Sequence, residues 1–149
     1  MIKLEKCEPM TVKVKYFADI EPLVKMSVGD WIDLRSAEDV DMVAGEYKHI
    51  RLGVGMILPE GYEAHIMPRS STFKRYGLIM ACSGIIDNSY CGNHDEWLFG
   101  AYSTRETHIC KGDRICQFRL VQNQPEVQFE TVERLRLISR GGIGSTGVR

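Results

Sequence analysis

Short apolar segments separated by turn residues constrain the fold of this chain more than any other feature. Residues 11–16 (TVKVKY), 47–58 and 107–121 alternate polar and apolar side chains or are rich in β-branched residues, a pattern typical of β-strands. No window of comparable length has the apolar spacing that an amphipathic helix needs. Many short strands in a chain of 149 residues favour a sandwich, a jelly roll or a small barrel.

Glycine, proline and aspartate mark the ends of these segments. They stand together at 29–30 (GD), 59–61 (PEG) and 111–113 (KGD), and each combination favours a turn. The last one predicts a hairpin between HIC and RICQFRL. One short helix is expected over 71–76, with Ser70 or Ser71 capping its first turn. The predicted fold class is therefore all-β with one short helix.

Length and charge narrow the possible functions. The chain has 44% hydrophobic residues and a net charge of -1, which fits one globular domain. It lacks the extended positive surface that binds nucleic acid. There is no stretch of about 18 apolar residues that could span a membrane, and the N-terminus has no apolar signal-peptide core. We therefore expect a cytoplasmic protein.

The five cysteines do not form a disulfide pattern. Their number is odd and none stands in CxxC spacing, so we expect reduced thiols. An alternative is a zinc site built from Cys91, His94, His108 and Cys110, although structural zinc sites usually have tighter ligand pairs.

The C-terminal sequence from residue 139 (SRGGIGSTGVR) has four glycines and no apolar periodicity. Such a segment does not pack as a strand, and we expect it to become ordered only on a ligand or a neighbouring chain. Glycine backbone groups can form a nest for an anion, Ser145 and Thr146 add donors, and Arg140 adds a permanently charged fork. The segment predicts phosphate binding; the alternative is a flexible terminus.

Two further segments combine polar groups that suit a nucleotide. Residues 68–71 (PRSS) open the expected helix, where serine hydroxyls and free N–H groups favour an anion, although a simple helix cap explains the same serines. In 84–92 (GIIDNSYCG), Asp87 is placed to activate a water molecule and Tyr90 to pack against a sugar or base. An ordinary Asp-Asn-Ser turn is the alternative for this segment.

Asp33 and Gln117 complete the set. A carboxylate such as Asp33 suits a hydrated magnesium ion, and the amide of Gln117 can donate to a phosphate oxygen. Both residues fit equally well as strand-edge residues with no ligand.

Taken in order, these five segments resemble the five motifs of the trimeric dUTPase family, from Asp33 to Gly147. The resemblance implies a distorted jelly roll, or β-clip, at residues 1–136 and a flexible C-terminal arm at 137–149. It implies a homotrimer in which each arm closes the active site of a neighbouring subunit. The implied reaction is Mg²⁺-dependent hydrolysis of dUTP to dUMP and pyrophosphate, with water attacking the α-phosphorus.

The resemblance also implies a role for each residue. Asp87 activates the water, Tyr90 packs on the deoxyribose, and Asp33 helps to hold magnesium through water. Backbone groups of Gly84, Ile85 and Ile86, continuing to Asp87, read the uracil edge. Phosphate contacts fall to Arg69, Ser70, Ser71 and Gln117. Contacts from the arm fall to Arg140, Ile143, Gly144, Ser145 and Thr146.

Three features depart from the family pattern. The second motif reads RSS instead of RSG, with Arg75 at the usual lysine position. Ile143 occupies the position of the aromatic residue that stacks on uracil. The segment 93–99 (NHDEWLF) is unusually acidic and aromatic, and Trp97 or Phe99 supplies either a replacement lid or part of the core.

Two alternative functions remain open at this point. A dCTP deaminase shares the implied fold and the RSS sequence, and it needs a glutamate base after the third motif, near Glu96. The second alternative, suggested by phage members of the family, is a regulatory binding protein that uses nucleotide as a switch.

Overall fold

The computed structural model describes residues 8–142 and 146–147. Within these residues it has eleven strands and one helix, and no helix there is long and apolar enough to cross a membrane. In chain order the elements are β1 (Lys13–Tyr16), β2 (Ile32–Arg35), β3 (Val40–Met42), β4 (Tyr47–Arg51), β5 (Val54–Ile57), β6 (Tyr62–Pro68), α1 (Thr72–Tyr76), β7 (Leu78–Met80), β8 (Ile85–Ile86), β9 (Leu98–Ser103), β10 (Thr107–Ile109) and β11 (Arg114–Gln122).

The strands pair antiparallel in four groups. A four-stranded sheet has the order β2-β11-β6-β8 and a three-stranded sheet has the order β4-β9-β7. The remaining strands form the ladders β1-β5 and β10-β3. Strands distant in sequence are therefore neighbours in space, which is the crossing connectivity of a jelly roll. The all-β fold class with one short helix is confirmed.

The core lies between these sheets, and the aromatic pair of the segment 93–99 belongs to it. Trp97 is 0% exposed and Phe99 is 1% exposed. The Trp97 ring packs edge to face on Phe118, with ring centroids 5.2 Å apart. The core alternative for these two residues is confirmed and the replacement lid is wrong, because a fully buried ring cannot close over a ligand.

The predicted hairpin at 111–113 is wrong in its pairing. The turn exists, since Gly112 has a φ of 91° and the Asp113 N–H donates to the Cys110 carbonyl at 3.0 Å. However, β10 pairs with β3, whereas β11 pairs with β2 and β6. The reason is burial: lying between two neighbours, β11 covers the apolar side chains of Ile115, Cys116 and Phe118, which a two-stranded hairpin would leave half exposed.

The expected helix is present, but its cap is not the predicted one. Helix α1 has Ser71 at the N-cap position without a side-chain capping bond, and it ends at Gly77 in the left-handed conformation, with a φ of 65°. The buried Thr72 hydroxyl accepts from the Arg69 N–H at 2.9 Å and donates to the Ile115 carbonyl at 2.8 Å. Thr72, rather than a serine, therefore fixes the helix start to β11.

Residues 123–142 follow β11 without strand or helix, and all of them are exposed. They carry large apolar side chains that touch little of their own domain, for example Phe129 at 94%, Leu135 at 88% and Leu137 at 98% exposure. Exposed apolar groups in such a row are typical of a segment that packs on another surface.

Candidate active site

A pocket of about 320 Å³ lies beside β8, at the small end of the range for sites that bind small molecules. It brings together the predicted residues Ile85, Ile86, Asp87 and Tyr90. Sequence reasoning missed other residues of its lining, namely His49, Cys82, Ser83 and Leu98. His49 and Leu98 come from β4 and β9, whose approach to β8 no local pattern predicts.

The wall formed by β8 is suited to reading a planar base. Ile85 and Ile86 pair with His65 and Ala64 on one side only, because β8 is the last strand of its sheet. Edge strands leave a row of backbone donors and acceptors without strand partners. Gly84 precedes this edge, where a Cβ would overlap the carbonyl of Ile66. Only glycine therefore lets the chain enter β8 along this path.

Asp87 sits at the first position of a turn, as the turn alternative for its segment predicts. The Ser89 N–H and hydroxyl donate to Asp87 Oδ1 at 2.8 and 2.5 Å, which makes an Asp-Asn-Ser turn. These two bonds, from the hydroxyl and then from the backbone, lower the pKa of Asp87. The side chain of Asn88 anchors the turn through the carbonyls of Pro59 and Tyr62. Oδ2 has no partner among the described residues, so an ionised oxygen remains available to a ligand or water.

Tyr90 is held at both ends. Its N–H donates to the Asp87 carbonyl at 3.0 Å, and its hydroxyl donates to the Glu96 carbonyl at 2.9 Å. Burial, followed by the charges of Asp95 and Glu96, raises the pKa of the Tyr90 phenol. The phenol is therefore protonated and able to donate at neutral pH.

The Glu96 carboxylate is bound by Arg51, which argues against Glu96 as the base of a deaminase. Arg51 Nε lies 2.9 Å from Glu96 Oε2, and Arg51 Nη2 lies 3.1 Å from Oε1. A guanidinium fork occupies both oxygens of this carboxylate, whereas a base must be free to take a proton from its substrate. The deaminase alternative is not favoured.

A second group of predicted residues gathers around Asp33. Asp33 on β2 pairs across the sheet with Gln117 on β11. Its carboxylate accepts from Arg69 Nε at 3.0 Å and from Arg114 Nη1 at 3.2 Å. Arg69 Nη1 also donates to the Arg114 carbonyl at 3.3 Å. Asp33 thus fixes the Arg69 guanidinium. Arg114 was missed by sequence reasoning, because no local pattern predicts that the start of β11 lies beside β2.

The loop that carries Arg69 is shaped by side chains around it. Gln117 Nε2 donates to the Pro68 carbonyl at 3.0 Å, which leaves one of its two amide hydrogens for a ligand. The hydroxyls of Ser70 and Ser71 have no partner among the described residues, so the simple capping alternative for these serines is wrong. Hydroxyls, an amide and a guanidinium around one loop form a donor-rich surface suited to phosphate.

Asp33 and Asp87 lie at opposite edges of one sheet. Asp33 is on β2 and Asp87 follows β8, and the strand order β2-β11-β6-β8 puts three strand spacings, about 14 Å, between them. Arg69 follows β6, the neighbour of β8, but the register of these two strands places Asp87 level with Glu63, which is six residues or about 20 Å along β6 from Arg69. A single chain therefore does not bring Arg69 beside Asp87.

No described residue of the arm lines the pocket beside β8. Arg140 and Thr146 are exposed, and Gly141 and Gly147 have φ values of 89° and 84°. The predicted contacts Ile143, Gly144 and Ser145 lie outside the described residues.

The four-residue zinc site is not assembled. One ligand atom each of Asp39, His108 and Cys110 lie within 4.8 Å of one another, but Cys91 and His94 belong to the loop after Asp87. His108 Nδ1 instead lies 2.6 Å from Asp41 Oδ1.

Comparison with known proteins gives a consistent family. The model of the dUTPase family matches residues 16–147. The chain is 53% identical over 142 residues to the SPbeta prophage-derived deoxyuridine 5'-triphosphate nucleotidohydrolase YosS of Bacillus subtilis, across 94% of this chain and 100% of that relative. It is 39% identical over 119 residues to the deoxyuridine 5'-triphosphate nucleotidohydrolase of Cutibacterium acnes, covering 78% of each.

Solved structures agree in fold. A variant of the Staphylococcus bacteriophage 80alpha dUTPase with dUpNHpp superposes with a TM-score of 0.75 at 23% identity, over 93% of this chain and 99% of that one. A variant of the dUTPase from phage phi11 of S. aureus, which coordinates a structural Mg(II) ion, gives 0.73 at 19% identity, over 84% and 98%. At these identities the structures show the fold alone.

Proposed function

The chain belongs to the dUTPase family, and we propose that the pocket beside β8 binds the deoxyuridine of dUTP and directs its hydrolysis to dUMP and pyrophosphate. The observation that carries this proposal is the position of Asp87, in the lining of a pocket that also contains the edge strand β8 and Tyr90. A carboxylate oxygen, an aromatic ring and the free edge of a strand thus meet in a pocket of about 320 Å³.

The edge of β8 accounts for base selection. The Ile85 N–H has only a long contact of 3.4 Å to the Ser83 hydroxyl, so it remains available to a base. Backbone donors and acceptors placed for uracil would be left unpaired by cytosine, and unpaired buried polar groups cost binding energy. Backbone atoms give this selection a fixed geometry that no side-chain rotation alters.

Asp87 is proposed to activate the attacking water. The water oxygen bonds to the α-phosphorus, the bond from that phosphorus to the bridging oxygen breaks, and pyrophosphate leaves with the electron pair. The proton of the water passes to Asp87 Oδ2, the oxygen that Ser89 does not occupy. General-base assistance of this kind contributes roughly 10²- to 10⁴-fold in rate.

Tyr90 is proposed to exclude ribonucleotides. Its ring lines the pocket and its hydroxyl is fixed on the Glu96 carbonyl. A ring fixed against the deoxyribose would leave no space for a 2′-hydroxyl group.

The triphosphate is proposed to bind Arg69, Ser70, Ser71 and Gln117 of a neighbouring copy in a homotrimer. The separation of Arg69 from Asp87 within one chain, about 20 Å along β6, supports this arrangement. The exposed apolar residues after β11 support packing of each C-terminal segment on another subunit. The arm, with Arg140, Ile143, Gly144, Ser145 and Thr146, would then close over the substrate and exclude water.

The residues around Asp33 fit a hydrated Mg²⁺ ion but not a directly bound one. Each Asp33 oxygen already accepts one guanidinium hydrogen bond. The remaining lone pairs can accept from water, but the two guanidinium groups place too much positive charge beside Asp33 for the ion to bind it directly. Magnesium keeps several waters and takes one or two carboxylates together with substrate phosphates. When bound, the ion would neutralise charge on the triphosphate.

We also infer that the protein works in the cytoplasm. The four described cysteines, Cys82, Cys91, Cys110 and Cys116, are all free, which fits a reducing compartment.

Pyrophosphate release from dUTP, dCTP, dTTP and UTP in the presence of magnesium tests the proposal. Wild type should turn over dUTP far faster than the others, and Asp87→Asn should lose at least about 100-fold in kcat while still binding a non-hydrolysable dUTP analogue. Asp30→Asn, at an exposed bend, is the matched control and should behave as wild type. Ammonia released from dCTP, or dUTP binding without hydrolysis by wild type, would contradict the proposal.

A further inference from the structure

The loop between Asp87 and Trp97 contains an ion pair that the reaction itself does not use. Glu96 lines the pocket, yet its carboxylate is turned to Arg51 of β4 through two hydrogen bonds of 2.9 and 3.1 Å. The Glu96 side chain is 16% exposed and that of Arg51 is 42% exposed. Half-buried bidentate pairs of this kind hold a defined geometry better than surface pairs between flexible side chains.

This ion pair is connected to Tyr90 through the Glu96 backbone. The carbonyl of Glu96 is the acceptor of the Tyr90 hydroxyl, at 2.9 Å. Arg51 therefore fixes the residue on which the tip of the Tyr90 ring rests. The other hydrogen bond of Tyr90 among the described residues joins its N–H to the Asp87 carbonyl. That bond fixes the backbone of Tyr90, but by itself it would not fix the ring.

Strand β4 gives this chain of contacts a rigid base. Arg51 pairs with Leu98 across the β4–β9 ladder, and the next residue, Leu52, donates from its N–H to the Trp97 carbonyl at 3.0 Å. Leu52 and Trp97 are fully buried. These contacts to the core thus fix the position of Glu96, although Glu96 itself belongs to a loop.

A ring that excludes one hydroxyl group must be held to within a fraction of the size of that group. A pocket wall rejects a substrate with an added hydroxyl by only about 100-fold even when it is well formed. Small displacements of Tyr90 should therefore affect the sugar preference before they affect the chemistry at Asp87.

We propose that Arg51 and Glu96 are positioning residues that hold the Tyr90 ring in place and thereby set the preference for deoxyribonucleotide over ribonucleotide. This inference rests on the proposed function, since it assumes that Tyr90 faces the sugar of dUTP. Neither Arg51 nor Glu96 belongs to the phosphate-binding or water-activating groups proposed above. The ion pair acts on specificity through the tyrosine.

The test compares kcat and KM for dUTP and UTP in wild type, Arg51→Ala, Arg51→Lys and Tyr90→Phe. Arg51→Ala should lower the ratio of kcat/KM for dUTP to that for UTP by about tenfold, within the limit of about 100-fold that such a wall provides, with a smaller change in kcat for dUTP. Arg51→Lys keeps the charge but not the fork, so it should retain part of the preference. Lys48→Ala is the matched control, because Lys48 lies on the same strand and pairs with Glu46 away from the pocket.

A double-mutant cycle separates positioning from a general loss of structure. Arg51→Ala and Tyr90→Phe remove two links of one chain of contacts, so together they should lower the dUTP/UTP ratio no more than the larger single effect. Additive losses, or an unchanged ratio in Arg51→Ala, would overturn the inference while leaving the proposed function intact. A wild type that does not hydrolyse dUTP would instead overturn the proposed function, and this inference with it.

Discussion

Asp33 Oδ1 lies 3.0 Å from Arg69 Nε, and this contact decides which way the Arg69 guanidinium faces. With Nε on Asp33 and Nη1 on the Arg114 carbonyl, Nη2 is the nitrogen left without a partner among the described residues. The hydrogen bonds within the protein therefore show that Asp33 orients Arg69. Its proposed role in holding hydrated magnesium arises only when the substrate is bound.

Asp33→Asn should weaken triphosphate binding. The substitution keeps the shape of the side chain but removes the charge that orients Arg69, and a hydrogen bond to a charged group is worth roughly 1.5–3 kcal/mol. KM for dUTP should rise about tenfold or more. Initial-rate kinetics at saturating magnesium measure this change. Glu21→Gln, which removes the exposed ion pair to Arg35, is the control.

A magnesium titration of the same variant distinguishes the two roles of Asp33. If Asp33 also holds a hydrated ion, the magnesium concentration for half-maximal activity should rise in Asp33→Asn. An unchanged KM at every magnesium concentration would contradict both roles.

Ser89→Ala should raise the pKa of Asp87. The Ser89 hydroxyl is the largest cause of the lowered pKa, and removing it returns the carboxyl toward its ordinary value of 3.8. A carboxyl with a depressed pKa in the folded state adds stability above its unfolded pKa and loses it as pH falls through the folded value. Because the role proposed for Asp87 needs the ionised carboxylate, the acid limb of kcat/KM should move to higher pH. Carbon-13 NMR of the labelled carboxyl gives the pKa directly, and an unshifted titration would contradict the argument.

Trp97→Ala should destabilise the fold by about 3–5 kcal/mol, the cost of removing a large ring from a core. Trp97→Phe should cost less, since it also removes an indole N–H that is buried without a hydrogen-bond partner among the described residues. Urea unfolding followed by circular dichroism measures both. Phe73→Ala, at a side chain 59% exposed, should change stability by no more than about 0.5 kcal/mol. Equal effects at the two positions would refute the core assignment.

A chain ending at Ser139 should fold normally but lose activity. The described residues beyond Ser139, namely 140–142 and 146–147, are exposed, so their removal takes no packing from the domain. Loss of the arm donors should lower kcat/KM for dUTP by at least about 100-fold, as removal of one positioned donor does elsewhere. The unfolding midpoint of the truncated chain provides the control. Full activity after truncation would show that the arm does not close the site.

The sequence predicted the parts of this molecule that depend on local chemistry. Glycine and proline residues predicted the turns, and the alternation of polar and apolar side chains predicted β4, β5 and β11. The motif residues Asp87 and Tyr90 line one pocket. The helix was expected within one residue of its observed start.

Pairing between distant strands was beyond the reach of local patterns. The hairpin prediction failed because Gly112 determines where the chain turns but not which strand β11 meets afterwards. For the same reason Arg51 and His49 were not linked to the pocket, because both lie on β4, far from Asp87 in sequence. The partners of Asp33 and Glu96 needed side-chain geometry that spacing alone does not encode.

The distance between Asp33 and Asp87 across the four-stranded sheet has a consequence for inheritance. In an assembly of the proposed kind, a chain defective at Asp87 still offers an intact phosphate loop, and a chain defective at Asp33 still offers an intact pocket beside β8. Two alleles that are each inactive alone would then complement one another in a mixed oligomer, because some interfaces would pair the two sound halves. A cell that carries both alleles should accordingly keep some activity. A chain with a truncated core strand such as β11 would not be rescued in this way.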